Sequence, residues 1–239
     1  MRSIVLLLTA AAAASAQGSA SQGVNFYSVA QERDLGQRFA KDLVNALQAH
    51  LDPRIEVVGT SLLAHVRDGH EFSFFAFDTR ANEPLAAEIF AFPADWRTLR
   101  LEEAIALPGG GIFVPRILME RAPAYDELAA IVAHAIGHVV LRHPTQMATQ
   151  IALLDNGPMP NIAPNPVSGL MEFAQAWEFA ADRYAARLLK DTGFDPRALE
   201  RYIQSLPEPD AGGRRPVFSA HPPPRPRIDA IEKAIADFR

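Results

Sequence analysis

The chain has 239 residues, of which 49% are hydrophobic and 21% are charged. This length and this balance predict a globular chain with a sizeable core and exclude an intrinsically disordered one. The net charge is −5 and there is no basic run, so nothing in the sequence favours nucleic-acid binding.

The first sixteen residues have the pattern of an export signal. One arginine precedes an apolar run, and residues 14–16 read Ala-Ser-Ala, a typical cleavage site. The run is too short to span a bilayer, so we expect a bacterial periplasmic or secreted protein with no stable membrane span after cleavage; an uncleaved N-terminal anchor is the alternative. There is no cysteine, so lipoprotein processing and disulfides are excluded. The predicted organisation is a signal peptide at 1–16 cleaved after Ala16, a flexible segment at 17–27 and one domain at 28–239.

The first half of the domain predicts one helix followed by strands. Ser28 and Gln31 form a capping box for a helix that runs to about residue 50. β-branched and aromatic residues predict strands further on, and glycines divide the last segment into two. The predicted strand segments are 55–58, 71–77, a possible short strand at 89–92, and the pair within 104–114.

The second half predicts mainly helices. Pro115 opens a short helix, and Asp126 and Glu127 open a long apolar helix that closes at Arg142 and His143. The further helices predicted are 146–154, 171–190 with Gly193 as its cap, 195–206 and 227–238. Two proline-rich segments, 155–169 and 207–226, are predicted as loops that cover a cleft.

The long apolar helix carries the most informative pattern of the chain. His134 and His138 are four residues apart, which is the spacing of the zinc-protease motif H-E-x-x-H, but the glutamate position is occupied by Ala135. Residues i and i+4 share one helix face, so the two imidazoles can converge on one zinc ion. Glu178, on the next long helix, is the candidate third ligand, and Asp182 is one turn further on, suited to hydrogen-bond a ligand histidine.

Each part of this pattern has an alternative explanation. His134 and His138 could be buried in a metal-free helical scaffold, and Glu178 could pair with an arginine instead of a metal. His143 lies about 180° round the helix from His134, so we interpret it as a helix-end charge. The two histidines interpreted as surface residues beside a turn are His65 and His70.

Several motifs, taken in their order, resemble the M48 family of zinc metallopeptidases over residues 28–235. Each motif is weak alone, but the whole series is specific. The motifs are 107–110, Glu127 to Ala130 leading into His134 and His138, 141–143, Glu178 with Ala181 and Asp182, 193–196, 221–223, and Arg227 with Ile228.

The resemblance implies a zincin-like, mainly helical α+β fold with a small sheet beside the active-site helix. It implies one Zn²⁺ per chain, held by His134, His138 and Glu178, and a polypeptide substrate that adds to an edge strand. Two alternatives stay open for His221: a loop histidine among prolines, or a residue that lies near the metal or touches the substrate. The residues implied for the substrate strand are Gly110, Gly111, Ile112 and Phe113.

Two departures from the family pattern concern function. Glu103 stands where the family usually has asparagine, which puts the usual substrate contact in doubt. In the family, the glutamate at the position of Ala135 moves a proton from a zinc-activated water to the leaving amine, a step worth roughly 10²–10⁴-fold in rate. We find no substitute, because Glu127 and Glu172 lie too far along their helices.

Two functions therefore stay open. One is a metalloendopeptidase of exported polypeptides with crippled hydrolysis. The other is a chaperone-like pseudo-peptidase that contains zinc and binds peptides without cutting them. The sequence also leaves open the oligomeric state and whether Ala135 is natural or introduced.

Overall fold

The computed structural model describes residues 24–78, 103–156, 166–206 and 224–238. These ranges confirm the mainly helical α+β class: a layer of helices surrounds a small three-stranded sheet. The elements, in chain order, are α1 (Val29–Leu47), α2 (Pro53–Leu63), β1 (Ser73–Phe77), β2 (Ile105–Ala106), a 3₁₀ turn (Pro108–Gly110), β3 (Gly111–Pro115), α3 (Arg116–Arg121), α4 (Tyr125–Val140), α5 (His143–Asn156), α6 (Pro166–Asp191), α7 (Ala198–Ser205) and α8 (Pro224–Asp237).

Helix α1 begins where the capping box predicted. The backbone N–H of Gln31 donates to the Ser28 hydroxyl, and the Ser28 N–H donates to the Gln31 side chain at 2.8 Å. The helix ends at Leu47, where Gln48 adopts a left-handed conformation. Leu43 and Leu47 are buried and belong to a small hydrophobic cluster beside the sheet.

Helix α2 replaces the strand that was predicted at residues 55–58. The Asp52 carboxylate accepts a hydrogen bond from the N–H of Arg54 at 2.9 Å, and proline follows the cap at the first helical position. Ile55, Val58 and Leu62 are fully buried at helical spacing. The strand prediction was wrong because four β-branched and polar residues fit both the two-residue period of a strand and the 3.6-residue period of a helix. The cap before them specifies a helix.

The sheet has the order β1-β3-β2. Strand β1 pairs in parallel with β3, with Ser73 opposite Gly111, and β2 pairs antiparallel with β3, with Ile105 opposite Phe113. The tight return from β2 to β3 uses Gly109, whose φ is +79°. The strands predicted at 71–77 and within 104–114 are thus confirmed.

Strand β3 is the central strand and not an edge. Gly111, Ile112 and Phe113 are buried between two partner strands, and Gly110 lies in the turn before them. Residues 111–113 therefore offer no free strand edge on that side, because the chain folds β2 back over β3, and the role of residues 110–113 in substrate binding stays a prediction. Among the described residues, β2 is the strand that lies at this side of the sheet.

Helix α4 is the centre of the core. Most of its residues from Leu128 to Val139 are buried, and it packs against α2, α6 and α7. Helix α6 approaches it closely at Gly137: a Cβ built on this glycine would lie 3.0 Å from the carbonyl oxygen and 3.2 Å from the Cα of Ala181. The missing side chain therefore lets the two helix backbones come into contact.

The other helix boundaries differ from the predictions by a few residues. Pro115 ends β3 and precedes α3, and α7 begins at Ala198 after a turn in which Asp195 accepts from the N–H of Arg197. Helices α5 and α6 extend into both ends of the loop predicted at 155–169. None of the described helices combines the length and the apolar character needed to cross a membrane. The signal peptide, the strand at 89–92, the middle of the 155–169 loop, most of 207–226 and His221 lie outside the described residues.

Candidate metal centre

Helices α4 and α6 bring three ligand-type side chains together. Nε2 of His134 lies 3.1 Å from Nε2 of His138, one turn further along α4. Glu178 faces them from α6, with Oε1 3.2 Å from Nε2 of His138 and Oε2 3.4 Å from Nε2 of His134. His134 and Glu178 are buried and His138 is nearly so, so the three groups meet in a site that is largely closed to solvent.

These separations fit a small tetrahedral metal ion. Zinc binds imidazole nitrogen and carboxylate oxygen at roughly 2.0–2.1 Å, so any two ligands of a tetrahedral site lie about 3.3 Å apart. The three observed distances, 3.1, 3.2 and 3.4 Å, bracket that value. The donor set of two imidazoles and one carboxylate also suits Zn²⁺, and it leaves a fourth position open.

Asp182 lies behind His134, one turn after Glu178. Its Oδ1 is 3.0 Å from Nδ1 of His134, although the ring N–H does not align with that oxygen as in a regular hydrogen bond. Arg227 of α8 holds the carboxylate from the other side, with Nε and Nη2 donating to its two oxygens at 2.7 Å each. The structure thus places Asp182 beside Nδ1 of His134, and its role as the partner of a metal ligand stays a prediction.

Arg227 also links the two carboxylates of the centre. Its Nη2 lies 3.3 Å from Oε2 of Glu178, and the residue is only 1% exposed. Glu178 therefore contacts both an arginine and the two histidines, so the two interpretations of this residue are compatible. Sequence reasoning noted Arg227 only as part of a motif, since a residue 49 positions beyond Glu178 gives no local sign of its partner.

The charges at the centre favour a cation. Burial opposes protonation of His134, but the carboxylates of Asp182 and Glu178 outweigh it and raise the pKa of His134. Burial acts to raise the pKa of Asp182, and the Arg227 guanidinium and His134 overcome it, so the pKa of Asp182 is lowered. The carboxylate of Asp182 thus faces groups that hold it in its charged form.

A cavity of about 280 Å³ opens beside the three groups. Ala135 lines it, so the position of the missing glutamate borders the cavity at the edge of the core. Glu103, two residues before β2, lines the same cavity. Burial raises the pKa of Tyr202, another wall residue, and the negative charge of Glu103 adds to this effect. Sequence reasoning missed Glu103 as a neighbour of the centre because strand pairing, not helix spacing, brings it there.

His143 turns back toward the centre at the start of α5. Its Nδ1 lies 3.1 Å from Nδ1 of His138, its ring stacks on Trp177 with the centroids 5.6 Å apart, and it is 5% exposed. Burial, with His138 beside it, lowers the pKa of His143 to about 3. Its interpretation as a helix-end charge was wrong, because α4 ends at Val140 and the helical angle no longer applies beyond that point.

The bend between α4 and α5 is held by a buried carboxylate. Arg142 adopts a left-handed conformation, φ +62°, which for a non-glycine residue costs about 1–3 kcal/mol. Its Nε donates to both oxygens of Glu32, at 2.9 and 3.1 Å, and its Nη2 donates to the carbonyl of Tyr27. The Thr145 hydroxyl donates to Glu32 as well. These contacts tie the bend to the start of α1 and offset its strain.

His70 belongs to the same cluster and was wrongly interpreted as a surface residue. Its Nε2 is 3.0 Å from Glu32 and its Nδ1 is 2.6 Å from Asp68, with the side chain 2% exposed. Burial opposes its protonation, but the two carboxylates raise the pKa of His70 to about 9. His65, by contrast, is exposed as predicted.

Comparison with known proteins gives one family and several distant relatives. The family model described as Peptidase family M48 matches residues 83–235. The chain is 25% identical to the beta-barrel assembly-enhancing protease of Escherichia coli (strain K12) over 236 residues, which cover 87% of this chain and 44% of that protein.

Two further relatives match a shorter part of the chain. It is 28% identical over 153 residues to mitochondrial metalloendopeptidase OMA1 of Arabidopsis thaliana, covering 58% of this chain and 31% of that protein. It is also 28% identical over 149 residues to metalloprotease LoiP of Escherichia coli (strain K12), covering 56% of this chain and 58% of that protein. The chain spans less than half the length of the beta-barrel assembly-enhancing proteases of Yersinia pestis and Escherichia coli that it matches.

Proposed function

The chain belongs to peptidase family M48, and on that premise we propose that it is a zinc-containing endopeptidase of exported polypeptides in which Ala135 slows hydrolysis. The observation that supports this most directly is the set of three ligand separations, 3.1, 3.2 and 3.4 Å, between His134, His138 and Glu178. A buried carboxylate facing two imidazoles at tetrahedral spacing is what a catalytic zinc site requires.

His134, His138 and Glu178 would hold one zinc ion. When bound, the ion polarises a peptide carbonyl and lowers the pKa of a water. Asp182 and Arg227 keep the ligand side chains oriented, since Arg227 contacts both Asp182 and Glu178. The fourth position would face the 280 Å³ cavity, which is the place for a substrate group.

Strand β2 is the proposed docking edge for the peptide. Ala104 and Ala106 line the cavity, whereas residues 110–113 lie in the turn and the buried central strand. An extended peptide that adds to β2 would carry its backbone past Ala135 and the two histidines. Strand β2 thus takes the place of residues 110–113 in this proposal, and the peptide still binds by adding a strand to the sheet.

Proton transfer is the weak step of this site. The methyl group of Ala135 neither accepts nor donates a proton, so the 10²–10⁴-fold typical of general acid–base catalysis is missing or must come from elsewhere. Glu103 is a carboxylate on the same cavity wall as Ala135. We assign to it whatever slow proton transfer remains.

A second function shares the same groove. A peptide could bind along β2 without being cut, which would make the chain a chaperone-like pseudo-peptidase. The observation that favours this function is Ala135 itself, because the cavity keeps its walls while the proton-transfer group is lost.

The location is proposed from the N-terminal sequence alone. The Arg2, apolar run and Ala-Ser-Ala pattern support export to the periplasm or beyond, with cleavage after Ala16. N-terminal sequencing of the mature protein from cells would test it. A start at Gln17 is expected, and a retained Met1 would contradict the prediction.

Zinc stoichiometry and casein cleavage, measured together, test the function. We expect one zinc per chain in the wild type and in Glu120→Gln, which changes an exposed carboxylate on α3, and much less in Glu178→Gln. Slow, chelator-sensitive cleavage would support the endopeptidase, and zinc-dependent casein binding without cleavage would support the pseudo-peptidase. Absence of zinc from all three proteins would refute the metal centre.

A further inference from the structure

His143 has a geometric relation to the centre that the three ligands do not account for. It contacts His138 at the ring nitrogen opposite to the one that faces Glu178 and His134. The two rings meet edge to face, with centroids 4.9 Å apart and an interplanar angle of 80°. The two Nδ1 atoms are 3.1 Å apart, which is a hydrogen-bond distance, and the tautomers of the two rings decide which nitrogen donates.

The direction of that hydrogen bond follows from which nitrogen would bind the metal. His138 presents Nε2 to the ligand cluster, so Nε2 must be free of a proton when the metal is bound. The neutral ring then carries its proton on Nδ1, which donates to Nδ1 of His143 over 3.1 Å. His143 must therefore be neutral as well, with its own proton on Nε2 and its Nδ1 lone pair as the acceptor.

We propose that His143 is a positioning residue for the metal centre: it accepts the Nδ1–H of His138, and so fixes the tautomer and the ring orientation in which Nε2 of His138 binds zinc. This inference rests on the proposed zinc site and adds a residue to it. Ligand histidines commonly donate their second N–H to a carboxylate, a carbonyl or water. In this chain the neighbour of the second ring nitrogen is Asp182 for His134 and His143 for His138.

Two features of the fold hold His143 in place for this role. Its ring is stacked on Trp177 of α6 at an angle of 22°, so it cannot rotate freely. Its backbone follows Arg142, whose left-handed conformation turns the chain sharply after α4 and is anchored to Glu32 and Tyr27. A regular continuation of α4 would carry His143 away from His138.

Two substitutions separate hydrogen bonding from packing. His143→Phe keeps an aromatic ring to stack on Trp177 but removes the acceptor. His143→Asn loses the stacking but places a side-chain oxygen near the position of Nδ1. The matched control is His65→Phe, which puts the same side chain at an exposed histidine far from the cavity lining.

The measurement is zinc affinity of the metal-free full chain, by competition with a chromophoric chelator. We expect His143→Phe to bind zinc about 10–100-fold more weakly than wild type, as is typical when the partner of a ligand histidine is lost. His143→Asn should keep most of the affinity, and His65→Phe should match the wild type. Wild-type affinity in His143→Phe, or equal losses in Phe and Asn, would overturn the proposal.

A measurement on the unmutated protein covers the case in which His143→Phe does not fold. Long-range ¹⁵N–¹H correlation of the imidazoles in the zinc-loaded wild type should show the proton of His138 on Nδ1 and that of His143 on Nε2. A proton on Nδ1 of His143 would overturn the inference. If the wild type binds no zinc, both the proposed function and the role of His143 fail. If it binds zinc but the protons lie on other ring nitrogens than expected, only the role of His143 fails.

Discussion

Replacing Ala135 by glutamate should turn the cavity into a working protease site. Ala135 is 2% exposed and lines the 280 Å³ cavity beside His134 and His138, so a longer side chain can extend into open space. Both alanine and glutamate are good helix formers, so α4 should be preserved. The three contacts described between His134, His138 and Glu178 do not use the Ala135 side chain.

The expected gain is the general acid–base term. That term is typically 10²–10⁴-fold in rate, or about 2.7–5.4 kcal/mol of activation free energy at about 1.36 kcal/mol per tenfold. The assay is casein hydrolysis with zinc stoichiometry measured on the same samples. Ala135→Gln is the matched control, because glutamine has the size of glutamate but no ionisable group that could act as a general acid or base.

The outcome that refutes this reasoning is specific. If Ala135→Glu and Ala135→Gln both hold one zinc and cleave casein equally slowly, the cavity does not orient a peptide for attack. The endopeptidase would then give way to the peptide-binding function. Cleavage by the Glu variant alone would identify Ala135 as the main block to hydrolysis.

Three further predictions concern the neighbours of the centre. Arg227→Ala removes the guanidinium paired with the buried carboxylate of Asp182, and urea unfolding of the metal-free variant should show a loss of roughly 3–5 kcal/mol in the free energy of unfolding; a loss near zero would mean that His134 or solvent compensates the charge of Asp182. The pKa of His70 is raised from 6.5 to about 9, so its protonated form stabilises the fold fully below pH 6.5, and this contribution is lost as the pH rises through about 9. Melting temperature should therefore fall between those pH values, and His70→Gln should flatten the fall; an unchanged profile would contradict the raised pKa. Glu103→Gln should lower the residual cleavage by wild type but have little effect in the Ala135→Glu background, and equal effects in both would argue for a role in substrate binding instead.

Local sequence signals predicted the elements that depend on local physics. The capping box of Ser28 and Gln31 gave the start of α1, and the i, i+4 spacing gave the shared face of His134 and His138. Strand and turn chemistry gave β1 and the return between β2 and β3. At 55–58 the same approach failed. The β-branched composition of these four residues indicated a strand, but the Asp52 cap and Pro53 start a helix there.

The residues that were misjudged depend on long-range contacts. The position of His143 was predicted by continuing the helical periodicity of α4 through Arg142. The left-handed backbone of Arg142 breaks that periodicity, so the predicted direction was wrong. His70 was taken for a turn residue because nothing near it in the sequence shows that Glu32, on α1, reaches over it. The expectation that β3 is an edge strand failed because a buried glycine-rich strand has the same sequence pattern whether one or both of its sides are paired.

The contact between Gly137 and Ala181 also bears on the gap between the three side chains of the centre. Gly137 lies between His134 and His138 on α4, and Ala181 lies between Glu178 and Asp182 on α6, so the helix separation there affects the distance from the histidines to Glu178. Calcium, with six to eight oxygen ligands at roughly 2.3–2.6 Å, needs a wider and more oxygen-rich shell than this gap provides. An added methyl at Gly137 would press on the backbone of α6 and move Glu178 outward. Gly137 thus keeps the two helix backbones close, and the resulting distances between His134, His138 and Glu178 fit a small cation better than a large one.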